Sequence, residues 1–254
     1  MVVSRHDPPR MKRNLIISLL VVVAVLAVVF LPYVRAALSP ILQRFEKPRT
    51  IAARVQQYGS RARARLLPHF QRAQVPYPPR RVALVGLKAE RRLQVYAAGP
   101  TNGFRFIRAY PILAASGGPG PKLREGDRQV PEGIYPIELL NPNSRFHLAL
   151  RVGYPNAADR AHAQAEGRTN LGGDIMIHGS SVSIGCLAMG DKAAEDLFIL
   201  AADTGLDNLT VLLCPVDFRT GAAVPKETRL PEWTTPLYAA LKARLAELPP
   251  EPAP

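Results

Sequence analysis

Residues 173–191, GDIMIHGSSVSIGCLAMGD, carry the strongest pattern in the chain. An apolar run ends at His178 and predicts a buried strand over 174–178. Gly179 then lets the chain turn into a loop of small hydroxyl-bearing and apolar residues. Gly185 permits a backbone conformation that other residues resist, so we expect Cys186 at the loop tip, with the N–H groups of both residues pointing the same way. Such a segment supplies a nucleophile and an oxyanion hole together.

His178 and Cys186 are the candidate catalytic pair. A free cysteine has a pKa of about 8.5, so its thiol needs a base or a positive charge to react at neutral pH. His178 is the nearest base along the chain, and a strand end followed by a returning loop can bring the two side chains within hydrogen-bond reach. Taken alone, both residues are also compatible with packing roles in a core. Cys214 ends an apolar run and is predicted to be structural, not a disulfide partner of Cys186.

The run resembles the signature of the L,D-transpeptidase catalytic domain (YkuD type), in which a His-Gly pair precedes a Ser-x-Gly-Cys tetrad. Here the pair is His178-Gly179 and the tetrad is Ser183-Ile184-Gly185-Cys186. Upstream, Pro121–Asp127 and Val130–Tyr135 are similar to the family's Thr-Pro-x-Gly-x-Phe element. Further segments resemble a subgroup that includes murein-remodelling enzymes acting at the lipoprotein attachment point: Asn141–Ser144 and Gly153–Asn156, with Asp159-Arg160 and His162. The resemblance extends over residues 80–218, with Ile184 and Ala188 standing where many members have His and Arg.

The resemblance implies a fold and a reaction. The fold is mainly β with few helices, a β-sandwich or barrel. Cys186 is implied as the nucleophile and His178 as the base, with Gly185, Gly179 and Ser183 forming or orienting the oxyanion site. The reaction is acyl transfer on peptidoglycan stem peptides through a thioester. A hydrolase at the same site, which trims stems or releases wall-attached lipoprotein, and an inactive wall-binding module remain as alternatives.

The positive charge of the chain lies in its N-terminal third. The net charge is +13, yet residues 82–254 hold 18 basic and 18 acidic side chains. The part with the candidate chemistry therefore lacks the basic surface that nucleic-acid binding requires, and we predict no nucleic-acid partner. Neither a metal-ligand cluster nor a phosphate-binding loop occurs in the sequence, so no metal and no cofactor are predicted.

Residues 15–34 carry no formal charge and are long enough to cross a bilayer. We expect an uncleaved membrane anchor, with a cleaved signal peptide as the alternative. Residues 1–14 and 35–49 each hold four Lys and Arg, so charge alone does not orient the segment. Because the resemblance implies a wall substrate, we expect residues 1–14 in the cytoplasm, an inner-membrane anchor and a catalytic domain in the periplasm.

Residues 35–79 are predicted to form a basic linker or stem between the anchor and the catalytic domain, 80–218. Ile51, Val55, Ala62 and Leu66 give the linker a partial helical stripe. It is interpreted either as a stem lying on anionic lipid or wall polymer, or as a solvated helical spacer. Residues 219–254 are predicted to hold a C-terminal helix that begins near Thr235-Pro236 and a disordered tail from Leu248.

Strands are predicted within the catalytic domain at 82–87, 93–97, 104–110, 133–140, 146–152 and 209–214. A helix is expected from an Asp191 N-cap to a stop at Gly205. The polar segment 154–174 precedes the strand that ends at His178 and is interpreted as a binding loop. Its candidate substrate contacts are Tyr154, Asn156, Arg160, His162 and Arg168.

Overall fold

The computed structural model describes residues 48–101, 103–224 and 229–252. Residues 1–14 and the predicted anchor, 15–34, lie outside these ranges. Among the described residues, no helix combines the length and the apolar character needed to span a bilayer. The catalytic domain lies in a compact unit that begins at Arg49.

Eight strands form one sheet in the order β3-β2-β1-β8-β4-β5-β6-β7. The strands are β1 (Arg81–Leu87), β2 (Arg92–Ala98), β3 (Arg105–Pro111), β4 (Gly133–Ser144), β5 (His147–Val152), β6 (Met176–His178), β7 (Leu187–Ala188) and β8 (Leu209–Cys214). The helices are α1 (Ile51–Arg72), α2 (Ala157–Ala165), α3 (Asp191–Thr204) and α4 (Thr234–Ala246). The mainly β prediction is confirmed. Strand β4 belongs to two sets of paired strands, since its first four residues pair with β8 and its later residues pair with β5.

Strand β1 is buried on both faces because helices cover the sheet on both sides. Val82 and Leu84 point into a core that contains residues of α1 and α3. Ala83, Val85 and Leu87 point into a second core that contains residues of α4. Alternate side chains of one strand therefore enter different cores, which explains why β1 is nearly continuously apolar.

Helix α1 packs against the sheet and α3, although the sequence predicts a separate stem over 35–79. Its residues Ala62, Leu66 and Phe70 are buried in the main core. Arg63 makes a two-bond contact with Asp203 of α3, at 2.7 and 2.8 Å. Arginines that look like a solvated basic stripe in the local sequence are paired with carboxylates about 130 to 140 residues away, so local composition does not reveal their role.

The described C-terminal segment, from residue 229, makes contacts with the domain as far as Glu251. Helix α4 buries Leu241 and Leu245 against the sheet. The predicted disorder from Leu248 onward is wrong for the described residues, because Leu248 is buried and the Glu251 carboxylate pairs with Arg92. An ion pair between the tail and β2 is a contact that the composition of the tail does not reveal.

Candidate active site

Strands β6 and β7 place the two candidate catalytic residues on neighbouring segments of the chain. The strands are parallel, and His178 is paired with Ala188. Cys186 lies in the bend directly before β7, next to the strand that pairs with His178. The Met176 N–H, at the start of β6, also donates to Cys186 Sγ at 3.4 Å.

The His178 ring is fixed by two contacts. Its Nδ1 lies 2.6 Å from the Gly179 carbonyl oxygen, which assigns the ring proton to Nδ1 and leaves the lone pair on Nε2. Phe146 stacks on the ring with centroids 4.7 Å apart. Burial lowers the pKa of His178, and the bond to Gly179 opposes that shift. The imidazole is therefore a neutral base at neutral pH.

Cys186 is held as a neutral thiol. Its Sγ accepts from the Met176 N–H and donates to the Asp174 carbonyl oxygen at 3.6 Å. Burial raises the pKa of Cys186, while the Met176 N–H lowers it less strongly. Among the described residues, the hydrogen-bond partners of Sγ are these backbone groups and not His178. The structure therefore holds two neutral side chains and not a thiolate–imidazolium pair.

The two N–H groups predicted to form the oxyanion hole are both occupied by side-chain hydroxyls. The Gly185 N–H donates to Ser116 Oγ at 2.6 Å. The Cys186 N–H donates to Ser183 Oγ at 3.0 Å, and the same hydroxyl donates to the Cys186 carbonyl oxygen at 2.7 Å. Ser183 thus closes the turn that carries the thiol. Gly185 has a φ of +83°, as its predicted role in this turn requires.

The loop before Cys186 is attached to the start of α3. The Ser180 N–H donates to the Asp191 side chain at 2.8 Å, and the Gly190 N–H donates to the Ser180 carbonyl oxygen. The sequence predicts Asp191 as the N-cap of this helix. In the structure Asp191 is the first residue of α3 and its side chain bonds the loop, while Gly190 is the N-cap. Val182 and Ile184 stand out from this loop, 57% and 76% exposed. Two exposed apolar side chains therefore precede Cys186 in this loop.

Two of the five predicted substrate contacts, Tyr154 and Asn156, have roles within the fold. Tyr154 is buried, and its hydroxyl donates to the carbonyl oxygens of Lys122 and Leu171. Asn156 is the N-cap of α2 and accepts from the Asp159 N–H at 2.9 Å. The segment predicted as an irregular binding loop therefore contains a capped helix, whose start is encoded by the Asn-x-x-Asp spacing.

The other three candidates also have partners inside the protein. Arg160 donates to the backbone carbonyl oxygen five residues before it. His162 stacks on Trp233 with centroids 4.3 Å apart. Arg168 pairs with Glu166 and donates to the Leu123 carbonyl oxygen. None of these contacts joins the three residues to Cys186, so their assignment as substrate contacts stays a prediction.

The sequence analysis missed Ser116 and Phe146, which contact the site directly. Ser116 lies in a glycine- and proline-rich loop, and its partner Gly185 is 69 residues away. Phe146 was interpreted as a strand residue but lies in the turn between β4 and β5. Neither residue carries a local signal, because each acts through a contact that only the fold creates.

The part of the chain described by the structure contains no group of three or more His, Cys, Asp or Glu side chains arranged to hold a metal ion. Cys214 is a free, fully buried cysteine, and burial raises its pKa far above the ordinary range. Cys186 is also free and is only partly buried. Of the two thiols, Cys186 is the accessible one.

Comparison with known proteins identifies a family. The L,D-transpeptidase catalytic domain (YkuD) matches residues 80–212. Proteins named "Putative L,D-transpeptidase YafK" from Escherichia coli strains K12 and O157:H7 are each 42% identical over 113 residues. That match covers 44% of this chain and 43% of each relative, so the chain matches less than half the length of these relatives.

Two solved structures also resemble the chain. The helical cell shape determining protein Pgp2 from Campylobacter jejuni is 23% identical, with a TM-score of 0.42 over 52% of this chain and 46% of that chain. L,D-transpeptidase 1 from Mycobacterium tuberculosis is 16% identical, with a TM-score of 0.31 over 53% of this chain and 62% of that chain.

Proposed function

The chain belongs to the YkuD family of L,D-transpeptidase catalytic domains, and from that premise we propose that it is a cysteine acyltransferase acting on peptidoglycan stem peptides. One observation carries the proposal. His178 ends β6, Cys186 directly precedes the parallel neighbouring strand β7, and the Gly179 carbonyl oxygen holds the imidazole in the tautomer that leaves Nε2 free to accept a proton. A nucleophile, a base and a group that orients the base are the parts that acyl transfer requires.

In the proposed reaction, Cys186 Sγ attacks the carbonyl carbon at the L-centre of a diaminopimelate-type third residue. The thiol proton moves to His178 Nε2, and the new C–S bond forms as the carbonyl oxygen takes up negative charge. When the tetrahedral intermediate collapses, the bond to the fourth residue breaks and His178 returns the proton to that leaving amine. An amine of a second stem then attacks the thioester and regenerates the thiol.

The resting thiol and imidazole make proton transfer part of the attack. A raised Cys186 pKa and a lowered His178 pKa both favour the neutral pair over the ion pair. The base must therefore remove the proton as the sulfur approaches the carbonyl, which is general-base catalysis. The Met176 N–H, already directed at Sγ, stabilises the negative charge that develops on the sulfur before the bond forms.

Hydrolysis is the alternative outcome of the same thioester, with water in place of the acceptor amine. Cys186 is only partly buried, so water can reach a thioester formed on its sulfur. Hydrolysis would trim stems or release wall-attached lipoprotein. A wall-binding module without activity is the third outcome.

Incubation of the full chain with purified diaminopimelate-type cell wall separates these outcomes. Mass spectrometry of the digested wall should show new crosslinks if the thioester is transferred to an amine, and freed peptide ends if it is hydrolysed. Cys186→Ala should abolish either product, while Cys214→Ala, the matched control at the buried thiol, should retain it. An unchanged wall with the wild-type chain would contradict both enzymatic proposals.

We also propose that residues 15–34 anchor the chain in the inner membrane, with the catalytic domain in the periplasm. The support is the length of the uncharged segment and the wall substrate proposed for the domain. Cell fractionation tests this. The full chain should sediment with membranes and a variant lacking residues 1–34 should not; equal sedimentation would contradict the anchor.

A further inference from the structure

The Gly185 N–H has a hydroxyl partner from a distant segment. Gly185 is buried, and its N–H donates to Ser116 Oγ at 2.6 Å. Ser183 also occupies an N–H, that of Cys186, but it belongs to the same turn and bonds both the N–H and the carbonyl oxygen of that residue. Ser116 is the partner that substrate can displace without dismantling the turn that carries the nucleophile.

The hydrogen of the Ser116 hydroxyl is committed elsewhere. Ser116 Oγ donates to the Arg128 carbonyl oxygen at 2.7 Å, so one of its lone pairs points at the Gly185 N–H. A hydroxyl in this orientation presents no donor to an oxyanion. It competes with the oxyanion for the Gly185 N–H.

Ser116 also has room to withdraw. It is followed by Gly117 and Gly118, and the φ of Gly117 is +85°. Ser116 borders a cavity of about 180 Å³ that is also lined by Lys88 and Pro215. Movement of this loop therefore has free space beside it and flexible backbone to absorb it.

We propose that Ser116 is a positioning residue that occupies the oxyanion donor of Gly185 in the free enzyme and releases it when the substrate carbonyl enters. The inference rests on the proposed cysteine chemistry and adds a residue that controls it. Removal of the Ser116 hydroxyl should therefore accelerate acylation and not slow it. A buried N–H left without a partner in the free enzyme binds an incoming oxyanion more strongly.

The test compares two reagents at the same thiol. Attack of Cys186 on p-nitrophenyl acetate forms a C–S bond, passes through an oxyanion and expels p-nitrophenolate, while the thiol proton leaves to His178 or solvent. Alkylation by iodoacetamide expels iodide and forms no oxyanion. The rate with each reagent is corrected for the background measured in Cys186→Ala. Thiol accessibility and thiol pKa affect both rates, so the ratio of the acylation rate to the alkylation rate reports on the oxyanion donor.

Ser116→Ala should raise this ratio about three- to tenfold, the range that one neutral hydrogen bond supports. Ser116→Val and Ser116→Thr are a matched pair of nearly equal shape: the valine variant should behave like alanine, and the threonine variant like wild type. This pair decides the question if the alanine variant does not fold. Gln129→Ala removes the 3.2 Å bond to the Gly118 N–H in the same loop and should leave the ratio unchanged.

An unchanged or lowered ratio in the variants without the hydroxyl would overturn the proposal. So would an equal rise in Gln129→Ala, which would assign the effect to loop mobility. The two reagents report on Cys186 whatever its natural substrate. A raised ratio without wall remodelling would reject the proposed function alone, and wall remodelling with an unchanged ratio would reject the role of Ser116 alone.

Discussion

Helix α1 contains two adjacent leucines that should respond very differently to the same substitution. Leu66 is 1% exposed and packs in the main core, whereas Leu67, about 100° further around the helix, is 39% exposed. A buried Leu→Ala change costs about 2–5 kcal/mol of unfolding free energy, from lost burial and the cavity left behind. A surface change usually stays within about 0.5 kcal/mol.

Urea denaturation of the full chain, followed by circular dichroism, measures the difference. Leu66→Ala should lower the urea concentration at the unfolding midpoint strongly, because the total stability of a domain is only about 5–15 kcal/mol. The dependence of the unfolding free energy on urea concentration should change little. Leu67→Ala should leave the midpoint near wild type. Equally small effects at both positions would refute the packing of α1 and restore its interpretation as a separate stem.

Four further predictions concern the site. Because burial lowers the pKa of His178 and raises that of Cys186, the acid limb of kcat/KM should have its midpoint below about pH 6.5. Iodoacetamide alkylation should rise only above about pH 8.5, and fast alkylation at pH 5–6 would indicate an ion pair instead. Gly179→Ala should lower the melting temperature and the acylation rate together, because a Cβ there would lie 2.7 Å from the Phe146 carbonyl oxygen; an unaltered thermal melt would contradict this. Ser183→Ala should slow wall remodelling by about tenfold or more, since the turn carrying the thiol loses both side-chain bonds, and an unchanged rate would remove Ser183 from the site.

The sequence predicted those parts of the fold that depend on local patterns. Strands β1 and β2 were recognised because each is a short apolar run and the polar residues between them form a tight turn. Helix α3 was recognised from its apolar face and from Gly205, which is its C-cap. Such signals come from neighbours a few residues apart, so one sequence is enough to read them.

Contacts between distant residues were not predictable in this way. The helical stripe of α1 was visible, but Arg65 bonds Asp196, 131 residues away, and this pairing makes the helix part of the domain. The site shows the same division. Cys186 and His178 stand in a local motif, whereas Ser116 reaches Gly185 only because the fold brings two loops together.

The covalent intermediate is the most direct test of the account. The full chain should be mixed with a tetrapeptide stem, quenched in acid and analysed by intact-protein and peptide mass spectrometry. The account predicts an acyl adduct on Cys186 in the wild-type chain and in Cys214→Ala, and no adduct in Cys186→Ala. An adduct that persists in Cys186→Ala, or turnover of the stem without any adduct at that thiol, would contradict it.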